Sequence, residues 1–231
     1  MIWQETGDYE KSAASQQQAL ELSCDLGDLY LQAWTLCELG ILQRLRGDYP
    51  AAAASEQQAL GMFCDIGDRW GQGHALNTLG LIQQLTGDYE AAAASHQRAL
   101  WLFRDSDDPQ GQAEVLNSLG ELASRTSATG QARDRHGQAL AIARAIGAPL
   151  DEARALEGIG RSRLHDGNPR QAGVHLQQAL AIYERIGAPD ARRVQETLEQ
   201  HRLTASTVQP GTAPPSQDHP RQPPAASPAN R

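Results

Sequence analysis

Seven histidines, three cysteines and 28 carboxylates are the groups in this 231-residue sequence that could carry chemistry. Their spacing assigns them none. No HExxH pair, CxxC or Cys/His cluster at zinc spacing is present, so no metal site is expected. No GxxxxGK[ST] loop occurs, and "GQGHAL" at 71–76 is a lone glycine pair with no strand before it, which excludes a dinucleotide fingerprint. His96 and His136 stand forty residues apart at one phase of a repeat, which reads as structural rather than catalytic. The acidic residues gather in Gly-Asp turns, where helix capping accounts for them. The expectation is a chain with no catalytic constellation and no cofactor.

Composition narrows what such a chain can touch. Residues 1–126 hold 7 Lys+Arg against 18 Asp+Glu, whereas residues 127–231 hold 13 against 10. The acidic first half argues against direct nucleic-acid binding, which needs a basic face to neutralise phosphates. No apolar run approaches the roughly 18 residues of a membrane span, and "MIWQETGDYEK" is no signal peptide. A cytoplasmic location is expected, and the three cysteines fit it. Cys24 and Cys64 share one phase of the repeat and read as small buried fillers near helix ends.

The elements that position everything else are written in a period. "GDYPAAAASEQQAL" at 47–60 and "GDYEAAAASHQRAL" at 87–100 agree at eleven of fourteen positions. "GDY" falls at 7, 47 and 87, and "AL" falls at 19, 59, 99, 139 and 179 with no insertion. A fixed period of this size marks a stacked solenoid. Each unit holds two helices. Tyr49, Ala52, Ala53, Ala59, Leu60 and Phe63 form one apolar stripe, and Leu76, Leu79, Gly80 and Gln83 form the next. Asp48 and Asp68 are placed to cap helix starts, and Gly67 and Gly87 to close helices in the left-handed conformation. Pro109, Pro149 and Pro189 fall at or near helix starts, where a missing N–H costs little.

A two-helix unit with Leu-Gly in its first helix and Gly-Asp-Tyr leading into its second resembles the tetratricopeptide repeat family, in its forty-residue form. The matching residues are Leu39-Gly40, Leu79-Gly80, Leu119-Gly120 and Ile159-Gly160, then Tyr9, Tyr49 and Tyr89, then Ala19, Ala59, Ala99, Ala139 and Ala179. The resemblance implies an all-α superhelical solenoid of antiparallel helix pairs over residues 1–203. Its five repeats count as 7–46, 47–86, 87–126, 127–166 and 167–203. There are departures. The position three before each of these alanines, usually large and apolar in the family, is Gln16, Glu56, His96 and His136, and only Leu176 conforms. The aromatic four residues after Leu is replaced by Gln43, Gln83, Ala123 and Arg163, and together these predict a looser, wetter interior. The wording of "GDYPAAAA", "LNSLGELASRT" and "GQALAIARAIGAPLDEARALEGIG" is also similar to repeat arrays of actinobacterial regulators. There the array follows an NB-ARC-type nucleotide-switch domain, often behind a SARP-type DNA-binding head, and neither head is present here.

In this family the first helices line the inner, concave wall, and ligands lie along it. Carried over by register, the inward candidates are Trp34 and Arg44; His74, Asn77 and Gln84; Glu114 and Asn117; and Arg154 and Arg161. Asn77 and Asn117 stand at equivalent positions, where an amide could both donate to and accept from a peptide backbone. Arg154 and Arg161, seven apart, could clamp a carboxylate. The resemblance therefore implies a non-catalytic protein-interaction scaffold, the sensor array of a signalling or transcriptional regulator, with a protein or peptide in the groove. The alternative is a stand-alone receptor for a peptide or small-molecule effector.

The two ends differ from the middle. "MIWQET" aligns with the end of a first helix, so the chain is expected to start inside a repeat and to expose Tyr9, Ala13, Ala19 and Leu20 for association. "DARRVQETLEQHRL" loses Leu-Gly, as a capping helix would. Residues 204–231 hold seven of twelve prolines and no Phe, Trp, Tyr, Ile, Leu or Met, which predicts a disordered tail.

Overall fold

The fold is built by a turn that recurs every twenty residues. Backbone φ is positive at Gly27, Gly47, Gly67, Gly87, Asp107, Ser127, Gly147, Gly167 and Gly187. Each of these residues ends one helix in the left-handed conformation, and a residue at the N-cap position follows. Asp28, Asp48, Asp68, Asp88 and Asp108 all accept backbone N–H bonds from the first turn of the next helix. Gly-Asp is thus a stop and a start written together, as the sequence indicates.

The computed structural model describes residues 15–201 apart from residue 17. Helix α1 is described in part, at 15–16 and 18–26. It is followed by α2 (Leu29–Leu45), α3 (Tyr49–Ile66), α4 (Arg69–Thr86), α5 (Tyr89–Asp105) and α6 (Pro109–Arg125). Then come α7 (Thr129–Ile146), α8 (Pro149–His165), α9 (Pro169–Ile186) and α10 (Asp190–Gln200). No strand occurs among the described residues. Of the residues expected to be exposed at the start, Tyr9 and Ala13 lie outside the described residues, whereas Ala19 and Leu20 are partly buried and Leu20 packs against the cluster of Leu36 and Phe63. The expected tail at 204–231 lies outside the described residues.

Packing is closest within α2/α3, α4/α5, α6/α7 and α8/α9. The structural unit therefore begins at a first helix, half a period out of phase with a count that opens at Gly-Asp-Tyr. First helices also meet every other element along the chain, α2 with α4, α4 with α6, and α6 with α8. They form the inner wall, and the second helices stand outside it. The core runs as columns through the stack. Ala52, Ala92, Ala132 and Ala172 are fully buried, as are Ala59, Ala99, Ala139 and Ala179. These small residues let helix axes approach, and Leu36, Leu76, Leu116 and Leu156 fill between them. Helix α10 buries Val194 and Leu198 in a cluster with Tyr183 and Leu176 of α9.

The fillers differ from expectation at two cysteines. Cys24 and Cys64 are exposed, and only Cys37 is buried. Phe63, one residue before Cys64, takes the inward direction, and the next residue on a helix is turned about 100° away.

At one turn the punctuation loses both its parts. Ser127 holds a positive φ of 60° without being glycine, and Ala128 at the N-cap of α7 makes no side-chain cap bond. A left-handed non-glycine costs about 1–2 kcal/mol, and a missing polar cap about 1 kcal/mol. Restoring the motif with Ser127→Gly and Ala128→Asp should stabilise the protein by about 1–2 kcal/mol, read as a higher urea midpoint at unchanged slope. An unchanged midpoint would show that this turn carries no strain.

Candidate functional site

The glycines of the Leu-Gly pairs are receptors for side chains from the outer helices. A Cβ on Gly40 would lie 2.7 Å from the Glu56 carboxyl, one on Gly80 2.5 Å from the His96 ring, and one on Gly120 2.5 Å from His136. On Gly160 it would meet Leu176 at 2.7 Å. The position that departs from the family pattern is therefore closely packed. Glu56 and His96 are 0% exposed and His136 is 1% exposed, so the expected looser interior is corrected to a tight one holding polar groups.

Those polar groups bind one another. His96 Nδ1 donates to Asn77 Oδ1 at 2.9 Å, and Gln84 Nε2 donates to His96 Nε2 at 2.7 Å, which fixes a neutral imidazole. His136 Nδ1 donates to Asn117 Oδ1 at 3.1 Å, and Asn117 Nδ2 donates to the Asp151 carbonyl at 3.1 Å. Burial pushes both imidazoles down to about 4. Burial also pushes the Glu56 carboxyl up to about 8. Neither Glu56 oxygen has a hydrogen-bond partner of ordinary geometry.

Asn77, Asn117 and Gln84 are buried, and their amides already serve this network. Register placed them on the wall. The structure places them behind it, as struts from a first helix to the second helix of its own unit and, through Gln84 and Asn117, to the next first helix. Holding a peptide backbone would require breaking these bonds.

The first-helix wall is aromatic at one end. Trp34 packs against Trp70 (centroids 4.8 Å apart), Phe63 (5.0 Å) and His74 (5.7 Å). Tyr30 lies 6.3 Å from Trp34, Trp70 lies 4.4 Å from His74, and His74 lies 5.3 Å from Phe103. Phe63 and Phe103 are fully buried and support the run from beneath, whereas Tyr30 and Trp70 are about half exposed. Trp70 Nε1 donates to Asp108 Oδ2 at 2.9 Å, which anchors the ring to the cap of α6. The structure thus brings Trp34 and His74 together. It adds Tyr30 and Trp70, which were not singled out; each stands four residues before a candidate on the same helix face, a spacing that could have found them.

Further along the wall the chemistry turns charged. Glu114 accepts from Gln110 Nε2 at 3.2 Å, and desolvation, against the pull of the Glu114, Asp108 and Asp68 carboxylates, holds the His74 imidazole below its ordinary value. Arg154 approaches Asp151 at 3.9 Å and Arg161 approaches Glu157 at 3.5 Å, each within its own helix. Glu157 is also held by Arg193 through two bonds of 2.8 and 3.0 Å and by the Tyr183 hydroxyl at 3.1 Å, which fastens α8 to α9 and α10. A carboxylate clamp at Arg154 and Arg161 would compete with those neighbours. Arg44 sits partly buried near Glu56.

Helix pairs of fixed length, stacked so that first helices line a curved wall, define a helical-repeat solenoid. A sequence-family model of the tetratricopeptide repeat matches residues 2–65 and 72–145, and the chain belongs to the tetratricopeptide repeat family. That family is generally a non-catalytic fold for protein–protein interaction. Among solved structures, BtubC (BKLC) from P. vanneervenii is 22% identical over 99% of this chain and 83% of its own, with a TM-score of 0.63. The apo form of RapI is 16% identical over 84% of this chain and 65% of its own, with a TM-score of 0.61. MamA is 20% identical over 80% of this chain and 94% of its own, with a TM-score of 0.53. These likenesses concern the fold. No match is found among curated proteins. Among the described residues, no helix is long and apolar enough to cross a membrane and no group of His, Cys, Asp and Glu could hold a metal ion.

Proposed function

We propose that the chain is a cytoplasmic interaction scaffold whose inner wall holds an extended segment of a partner protein, as the sensor array of a signalling or transcriptional regulator. The observation that carries this reading is the run Tyr30, Trp34, Trp70 and His74 on adjacent first helices, with Tyr30 and Trp70 about half in solvent. Aromatic side chains left open on a rigid concave wall supply contact area at low entropic cost, which is what recognition sites use. Glu114, Arg154 and Arg161 continue the surface and set its polarity. The regulator setting rests on the resemblance of the repeat wording.

Selection of a displayed random heptapeptide library on the full chain tests the reading. Enriched peptides should compete with one another for one site and should quench tryptophan fluorescence in a Trp101→Phe background. Trp101 is 59% exposed and outside the aromatic run, so its signal would mask the wall. Failure to enrich any peptide, or enriched peptides that bind equally well after Trp34→Ala, would sink the proposal.

A further inference from the structure

The charges around the aromatic run point to one kind of guest. Glu38 lies one turn beyond Trp34 on α2 and is exposed, and Glu114 and Glu121 lie seven apart on α6, with Glu121 exposed. Asp108 holds the Trp70 ring from the rim. On the first helices α2, α4 and α6 the cations are Arg44, Arg69 and Arg125. Arg44 is partly buried beside Glu56, Arg69 at the start of α4 pairs with Asp105 at 2.8 Å, and Arg125 falls in the last turn of α6. His74 in the middle of the run is kept neutral by desolvation. The guanidiniums of Arg154 and Arg161 come only on α8, each beside an acidic neighbour. Across this stretch the wall offers ring faces and the carboxylates of Glu38 and Glu114, on a half-chain that carries 7 Lys+Arg against 18 Asp+Glu, while Glu121 is met by Arg154, Arg193 and Arg125.

Ring faces carry partial negative charge and attract cations, and carboxylates nearby add to that pull. A purely apolar guest would leave the carboxylates desolvated without partners, and an acidic guest would be repelled by them. We propose that the N-terminal half of the inner wall recognises a basic segment, with a lysine or arginine side chain laid over Trp70 and Tyr30 and its charge met by Glu38 and Glu114. This rests on the groove reading above and names its ligand class.

The same heptapeptide selection separates the two. Peptides enriched on the full chain should carry a lysine or arginine at a fixed place. Replacing that arginine by citrulline, which keeps shape and removes charge, should weaken binding about tenfold. Trp70→Ala should cause a similar loss. Glu38→Gln with Glu114→Gln should cost several-fold and flatten the dependence on salt, with circular dichroism unchanged for both variants. Enriched peptides without a conserved basic residue, or indifference to citrulline, would overturn the basic-ligand proposal and leave the groove standing. Enrichment of nothing would remove both.

Discussion

The folded array should be most stable near pH 6.5, losing stability on either side for different reasons at different places. His96 and His136 have folded values of about 4 against an ordinary 6.5. The unfolded chain therefore takes up protons first. Their contribution is fully present above pH 6.5 and falls as pH drops towards 4, by about 1.4 kcal/mol per unit for each histidine. Glu56 runs the other way. Its folded value of about 8 against an ordinary 4.5 means that the folded state keeps the proton, so stability falls as pH rises from 4.5 to 8. Between pH 4.5 and 6.5 the two histidines outweigh the one carboxyl, leaving a net loss of about 1.4 kcal/mol per unit on acidification. Asp151, whose carboxyl is also pushed up by burial, works in the same direction as Glu56 from its ordinary value upward. Urea unfolding from pH 4.5 to 8 checks the profile. His96→Leu with His136→Leu should flatten the acid arm, and Glu56→Leu the alkaline arm, because Leu176 already fills this place in the last unit. A profile that stays unchanged in these variants would contradict the assignment.

Phe103→Ala should cost about 3–5 kcal/mol, the range for losing a fully buried aromatic ring. The ring is 0% exposed, and a Cβ at Gly73 or Gly111 would come within 2.8 or 2.5 Å of it. It thereby joins α4, α5 and α6, the junction between two units. Stability in a solenoid is a sum over neighbouring interfaces, so the loss should divide the thermal melt into two transitions rather than lower one. The edge contact with His74 would go as well, and peptides selected on the wild-type wall should bind more weakly. A single transition shifted by less than about 1 kcal/mol would show that the junction is held elsewhere. The chain itself trades volumes at this place. Phe63 faces Gly71 and Phe103 faces Gly111, whereas the next unit has Ala143 in register with Asp151 and the last has Tyr183 in register with Ala191.

Turns, helix pairs and the all-helical solenoid could be read from the sequence because they depend on neighbours within a few residues. Asp48 caps α3 and Gly67 closes it wherever the chain goes next. The wall was only half readable. Trp34 and His74 were placed by period, but Asn77 and Asn117 were misjudged because their partners lie nineteen residues away on another helix. Polarity alone does not say whether an amide meets water or an imidazole. Glu56, His96 and His136 looked like defects for the same reason: the glycine that receives each of them is visible only when the two helices are laid together.

The pairing of each first helix with the second helix that follows it bears on how such a gene can change length. Asn77 with His96, Asn117 with His136, and Gly160 with Leu176 are matched inside one pair, while the joints between pairs repeat the same alanines and leucines. A duplication or deletion whose breakpoints fall at Gly67 and Asp107 keeps these sets intact and still gives Phe63 a glycine to face, Gly111 in place of Gly71. One that breaks at Gly47 and Gly87 shifts by the same forty codons yet exchanges partners, setting His96 against Gly40 on a helix that carries Cys37 in the register of Asn77. Recombination that preserves reading frame is therefore not enough. The turn at which the copies cross decides whether the daughter array folds.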